Sequence, residues 1–297
     1  MDSIAEERIA GAPADPRGPD AIDAGPGTTA TGAHKRPYAL RDWRGVLVAV
    51  PGIGAAVAGF VAAYGAGWAL WDWRAGLAVV EWSFAVALAA LVIAVLVIAT
   101  GRRAGRATRW PLLLLGGLVA AGYAVYLASW WFSAQSLPAI HDISTDLADP
   151  PAFTALPLRA DNLDKVPGAG DSDMAGLNPR QRWALIHQRA YPDLRSVRIQ
   201  TPPADLYAKA QRLVADRGWE AAGQNPGTGT IEATARATPF AFHDDMVLRI
   251  RPIDGGAASI VDMRGVRREG QHDFGENAAR IRTFLADLSG TTSTAAR

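Results

Sequence analysis

The 297-residue chain has no cysteine. A disulfide framework, a thiolate zinc site and a cysteine nucleophile are therefore excluded. An excess of one charge is also missing. Thirty Lys and Arg stand against 29 Asp and Glu, for a net charge of +1. A nucleic-acid binder would concentrate basic residues on one face, so no nucleic-acid partner is expected. The patterns H-E-x-x-H, G-x-S-x-G, G-x-x-x-x-G-K-[ST] and G-x-G-x-x-G do not occur, so the common zinc-protease, serine-hydrolase and nucleotide-binding signatures are absent. Lysine is scarce beside arginine, and alanine is abundant. That bias suits a GC-rich bacterial coding sequence.

What the chain does have is unevenly spread. Residues 1–36 are dominated by Gly, Pro, Ala and Asp with no apolar period, and a disordered tail is expected there. Long apolar runs fill residues 46–70, 77–99 and 110–132, the body of a 44–133 segment. Each is long enough for the roughly 20 helical residues that cross a hydrocarbon core of about 30 Å. Lys35, Arg36, Arg41 and Arg44 precede the first run, and Arg102, Arg103, Arg106 and Arg109 lie between the second and third. The positive-inside rule places both groups in the cytoplasm. The expectation is a multi-pass protein of the bacterial inner membrane, with a cytoplasmic N-terminus and a periplasmic C-terminal domain. Trp68, Trp71, Trp73, Trp82, Trp130 and Trp131 would mark the outer interface, and Trp43 and Trp110 the inner one. Small residues recur every fourth position at Ala55, Gly59, Ala63 and Gly67, and again at Gly116, Ala120, Ala124 and Ala128. That spacing permits close helix packing. Glu81, the one acid inside a run, is expected in the first turn of its helix. An anchor fits this pattern better than a conduit, which would carry ionisable groups near the midplane.

From about residue 138 to 289 the pattern becomes that of a soluble α+β domain, with residues 290–297 as a flexible tail. Residues 201–219 read as a helix with Thr201 as N-cap, Pro202 at its first position and Gly218 at its stop. A shorter helix is expected after Asn178, with Trp183, Ile186 and Ala190 on one side. Alternation predicts strands over 229–237, 240–252 and 259–265, forming an antiparallel sheet covered on one face by helices. Its other face would carry Glu232, Asp245, Arg249, Arg251, Asp262 and Arg264, either as solubilising cross-strand pairs or as a concave site for a polar or anionic ligand. Asp273 and Glu276 resemble a capping box before a last helix bearing Ile281, Phe284, Leu285 and Leu288. Asn277 would meet the core and need hydrogen-bond partners. Arg264, Arg268, Asp273, Asn277 and Arg280 could then form one polar network tying sheet to helix.

Candidate chemistry is sparse. His141 beside Asp142, with Asp146 four residues further on, invites an acid–base reading. Asp142, Asp146 and Asp244 could offer oxygen ligands to Ca²⁺ or Mg²⁺, although short Asp/Thr clusters more often bond to backbone turns. Adjacent strand residues face opposite ways, so only one of Asp244 and Asp245 can join a given site. No cofactor is predicted.

The runs IHDISTD at 140–146, GTIEAT at 229–234, DDMVLRI at 244–250 and VDMRGVRREGQHDFGENAARI at 261–281 resemble the blocks of domain of unknown function 1499. The resemblance covers about residues 138–288, and its last block is the most specific. It differs in having Gly265, Arg267 and His272 where the family pattern carries serines. It implies an α+β domain, often in bacterial envelope or plastid proteins and sometimes behind membrane spans, and it implies no activity. The expected partners are the lipid bilayer and an envelope protein, lipid or glycan. A membrane-anchored hydrolase using His141 with the aspartates, or a metal-stabilised domain, is the alternative.

Overall fold

The computed structural model describes residues 43–104 and 110–290. Both tails, and Lys35, Arg36, Arg41, Arg106 and Arg109, lie outside the described residues.

Three helices come first: α1 Trp43–Gly67, α2 Trp73–Ala104 and α3 Trp110–Ser136. Each contains a stretch long and apolar enough to cross a membrane. Alanine and glycine face inward and the large side chains outward. Ala55, Ala56, Ala87, Ala90, Ala120 and Tyr123 form the central cluster. Val50, Val57, Val95, Leu118 and Val125 point away from it. That inversion of the usual size order suits helices whose outer solvent is lipid, where close backbone approach replaces hydrophobic burial as the adhesive. Helices α1 and α3 approach closely through glycines. A Cβ on Gly116 would fall 2.4 Å from the Cα of Ala49, and one on Gly52 would fall 2.5 Å from the Gly116 carbonyl oxygen. One polar pair is sealed inside, Ser83 Oγ and Tyr123 Oη at 2.6 Å. Because α2 starts four residues before the expected run, Glu81 lies in its third turn, not its first, and is exposed.

The C-terminal domain is a six-stranded antiparallel sheet with three helices. The long strands are β4 Thr230–Ala237, β5 Phe242–Ile253 and β6 Ala258–Arg267. The short ones are β1 Asp142–Ser144, β2 Val197–Ile199 and β3 Glu220–Asn225. The order is β1-β6-β5-β4-β3, with β2 also pairing with β6. Register joins Ile231 to Leu248 and Leu248 to Met263, while Ala233 faces Met246. These residues make one apolar face. On it lie α4 Pro179–Ala190, α5 Pro203–Asp216 and α6 Glu276–Ser289, contributing Trp183, Leu206, Ala210, Ile281, Phe284 and Leu288 to one core.

Local chemistry explains the helix starts. Asn178 caps α4 and exchanges hydrogen bonds with Gln181 in a full capping box. Thr201 does not cap α5. Pro202 is the N-cap and Pro203 opens the helix, because a proline ring sets the helical φ and has no N–H to leave unpaired. Gly218 follows α5 at φ 62°. The start of α6 also departs from the expected box. Gly275 is its N-cap at φ 78°, and the Asp273 carboxylate accepts from the Gly275 and Asn277 amides, each at 3.0 Å. Glu276 turns away to arginines instead of closing the box.

Candidate functional site

Strand alternation gives the sheet a second face bearing Glu232, Thr234, Asp245, Arg249, Asp262 and Arg264. Residues 146–162, which hold no helix or strand, run across it as a strap. The face is therefore not an open concave surface. Each polar side chain on it meets the strap or a neighbour.

Glu232 is 2% exposed. Its carboxylate accepts from the backbone amides of Thr154 (2.7 Å), Ala155 (3.0 Å) and Leu156 (2.8 Å), and from the Thr154 hydroxyl at 2.5 Å. Burial alone would raise its pKa, but these donors outweigh burial and lower it. Asp262 is fully buried and accepts from Arg249 (3.1 Å), Arg251 (2.7 Å) and Ser196. Arg249 reaches on to Asp146 and Asp149 in the strap. Arg268 forks onto Asp245, with both bonds at 2.7 Å. Arg264 forks onto Asp142 at 2.8 and 2.6 Å, and its guanidinium lies 5.7 Å from the Phe153 ring.

Of the residues singled out for acid–base work, the two aspartates are already bound to other groups. Asp142 is held by Arg264 and by the Asn162 amide. Asp146 is held by Arg249, and its second oxygen receives the amides of Ala148 and Asp149. His141 is 6% exposed, and its Nε2 has no partner. Burial first, and then the charge of Arg159, lower its pKa. A cavity of about 10 Å³ lies beside it, lined by Ile140, Asp142, Asn162, Val166 and Trp183. That is space for roughly one water molecule.

Asp244 lies on the opposite, helix-covered face, in register with Ala235. It meets Arg267 and Arg280, not Asp142 or Asp146. The three carboxylates considered as metal ligands are therefore not brought together. Among the described residues, no group of three His, Cys, Asp or Glu side chains is placed to hold a metal ion.

The single network expected to tie sheet to helix divides in two by strand parity. Arg264 and Arg268 serve the strap-covered face. Asp273, Asn277 and Arg280 join Asp244, Arg267 and Glu276 under α6. Arg267, 1% exposed, is the centre of this second cluster. It forks onto Asp244 at 2.8 and 3.0 Å and reaches Glu276 at 2.6 Å. Burial would lower its pKa, but Asp244 more than offsets that and raises it. Asp273 is also fully buried, and burial pushes its pKa up to about 6 against the pull of the two amides and Arg267. Asn277 lies in the core. Its Oδ1 faces Arg280 at 3.4 Å and its Nδ2 is unpaired.

Two buried groups were missed in the sequence. One is Arg267. The signal for it was the even-numbered parity that puts Asp244 beside Met246 and Leu248, where a buried acid demands a cation. The other is His187, fully buried in α4, whose Nε2 accepts the Ser144 amide at 3.2 Å. Burial lowers its pKa to about 4. Its i+4 spacing from Trp183 was the available signal.

These features define a class: an α+β domain with a self-closed polar face, carried behind three membrane-span-like helices. Residues 142–288 match the family model described as "Protein of unknown function (DUF1499)", and the C-terminal domain belongs to that family. No curated protein matches the chain.

Proposed function

We propose that this is a membrane-anchored envelope protein whose C-terminal domain acts at the bilayer surface by binding a partner protein, lipid or glycan. The observation that carries the reading is the short connection between anchor and domain. Helix α3 ends at Ser136 and β1 begins at Asp142. Five intervening residues span at most about 18 Å even when fully extended. The connection is also tied down, since His272 Nε2 meets the Leu137 carbonyl oxygen at 3.2 Å. A domain so placed works at the surface of its own membrane.

Binding is favoured over hydrolysis because the ionisable groups of the polar face are already committed to one another. A general base needs a reactive partner within hydrogen-bond reach and room for a substrate. His141 faces a space of about 10 Å³. The flanking arginines of the sequence favour a cytoplasmic N-terminus and a periplasmic domain in a bacterial inner membrane.

Fusions at residue 297 test the topology. An active alkaline phosphatase and a dark cytoplasmic-type fluorescent protein are expected. The reverse pair overturns the orientation. For the binding reading, His141→Ala and Asp142→Asn are made in the full chain, and turnover is sought against ester and phosphoester substrates. Turnover by the wild type, lost in folded variants, would overturn it in favour of hydrolysis.

A further inference from the structure

We propose that the C-terminal domain itself touches lipid. The tip between β4 and β5, Thr238–Phe242, and the loop bearing Phe274 form a rim lying in the interfacial layer of the bilayer that α1–α3 span. This rests on the membrane-anchor reading above.

Both segments of the rim meet the same end of the helix bundle. The tip sits on the turn between α1 and α2. Gly67 is so close to it that a Cβ there would fall 2.1 Å from the Pro239 carbonyl oxygen. Phe242 meets Trp73 edge-on at 5.3 Å, and Phe240 stacks on Phe242 at 5.5 Å. The second segment sits on the end of α3. His272 bonds to the Leu137 carbonyl, and a Cβ on Gly275 would fall 3.1 Å from Leu137 Cδ1. The C-terminal ends of α1 and α3 and the N-terminal end of α2 together make one mouth of an up-down-up bundle.

That mouth is aromatic on its outside. Trp68 is 74% exposed, Trp131 65% and Phe132 71%. Tryptophan rings at span ends sit at headgroup depth, where the apolar body and the polar edge are both satisfied. Half-buried Phe240 and Phe242, the latter packed on Trp73, and exposed Phe274 carry aromatic side chains from the spans onto the domain. The exposed Arg74 guanidinium lies 4.4 Å from the Trp73 ring and 3.8 Å from the Asp72 carboxylate, so the mouth also carries a polar, solvent-facing ion pair.

The backbone singles out the same places. Of the four non-glycine residues with positive φ among the described residues, Ala69 (57°), Ala241 (52°) and Phe274 (55°) lie at this junction. A bulky side chain there is strained and persists only where its surroundings over-determine it. Phe274 is fixed by His272, which stacks on its ring at 4.8 Å and accepts its amide at 3.0 Å, and by the buried Asp273 beside it. The outcome is an apolar ring left 40% exposed beside the end of α3. A protein partner or a second copy could also cover such a ring. Lipid is favoured because the rim is continuous with the span ends, which lipid must surround.

Because the chain lacks cysteine, single labels can be placed without further change. Thr238→Cys and Phe274→Cys are prepared in the full chain, with Val125→Cys as a lipid-facing control on α3 and Asp216→Cys as a water control on α5. Each is labelled with a nitroxide and reconstituted in phosphatidylcholine–phosphatidylglycerol vesicles. Collision with oxygen is compared with collision with a water-soluble nickel chelate. The oxygen-to-nickel ratio at 238 and 274 is expected to lie severalfold above that at 216 and below that at 125. Ratios equal to that at 216, with 125 reading lipid, overturn the rim and leave the anchor standing. Protection from both reagents at 238 and 274 also overturns it, in favour of a protein cover. A lipid-free reading at 125 overturns the anchor and the rim together.

Discussion

Arg267 and Asp244 meet across adjacent strands as a two-bond fork, 2.8 and 3.0 Å, with side-chain exposures of 2% and 0%. They lie on the helix-covered face beside the core, not on the polar face. Arg280 adds a second cation to Asp244, and Glu276 a second acid to both arginines. The Phe242 ring lies 5.4 Å from the Arg267 guanidinium, so the pair also sits beside the junction with the helix bundle. Breaking one partner of such a pair leaves a buried charge uncompensated, which costs about 3–5 kcal/mol. Asp244→Ala is expected to destabilise the domain by that order, read as the domain's unfolding transition in the detergent-solubilised full chain. The double change Asp244→Leu with Arg267→Met should recover much of the loss. A double variant no more stable than the single one would show that the pair is needed for more than mutual neutralisation.

Stability against pH should show two opposed contributions. Burial raises Asp273 from 3.8 to about 6, so between these values the native state binds more protons than the unfolded chain. Its contribution therefore grows as pH falls from about 6 towards 3.8. His187 goes the other way, lowered from 6.5 to about 4. Its contribution is full above 6.5 and is lost as pH falls towards 4. The wild-type curve sums these with the other shifted groups, His141 and Glu232 among them, so differences are informative. Relative to wild type, Asp273→Asn should lose stability on acidification from pH 7 to 5, and His187→Gln should gain it. Parallel curves for wild type and Asp273→Asn would show that Asp273 keeps its ordinary pKa.

What the sequence revealed followed from burial on one face. The strands containing Ile231, Leu248 and Met263 alternate because helices cover one side only, and that period survives in the letters. Strand β3, EAAGQN, is an exposed edge that buries nothing, so it carries no period. Strands β1 and β2, at three residues each, are too short to show one. Parity also assigned Glu232, Asp245, Arg249, Asp262 and Arg264 to one face. Their cover stayed hidden, because the strap binds Glu232 through backbone amides, and amides are common to every sequence. Arg267 escaped for a different reason. An arginine reads as surface unless its acids are known, and these come from β5 and α6, 23 and nine residues away.

The strap offers a local test. Charge-assisted hydrogen bonds contribute about 1.5–3 kcal/mol each, without simple additivity. Glu232→Gln replaces an acceptor-only carboxylate with a group that accepts on one side only, so some of the Thr154, Ala155 and Leu156 amides lose their partner. Hydrogen exchange at these three amides is expected to quicken by at least tenfold, while amides in β5 and β6 slow or quicken far less. Uniform quickening across the sheet would mean that the strap and the core open as one unit.

The bundle supplies the last prediction. Gly116 and Gly52 face each other across α1 and α3 with no room for a side chain, and the nearest atoms are backbone, which cannot move aside. Gly122 lies on the same helix with nothing within 4 Å of where a Cβ would be. Gly116→Leu should therefore separate α1 from α3, and Gly122→Leu should not, although both add the same apolar side chain. Inter-helix distances from paired spin labels, or resistance of the solubilised bundle to a harsher detergent, would distinguish them. Equal tolerance of the two substitutions would mean that the close crossing does not hold the bundle together. A loosened Gly116→Leu bundle should also loosen the domain's seat, because Gly67 ends one of the helices that part and Leu137 directly follows the other.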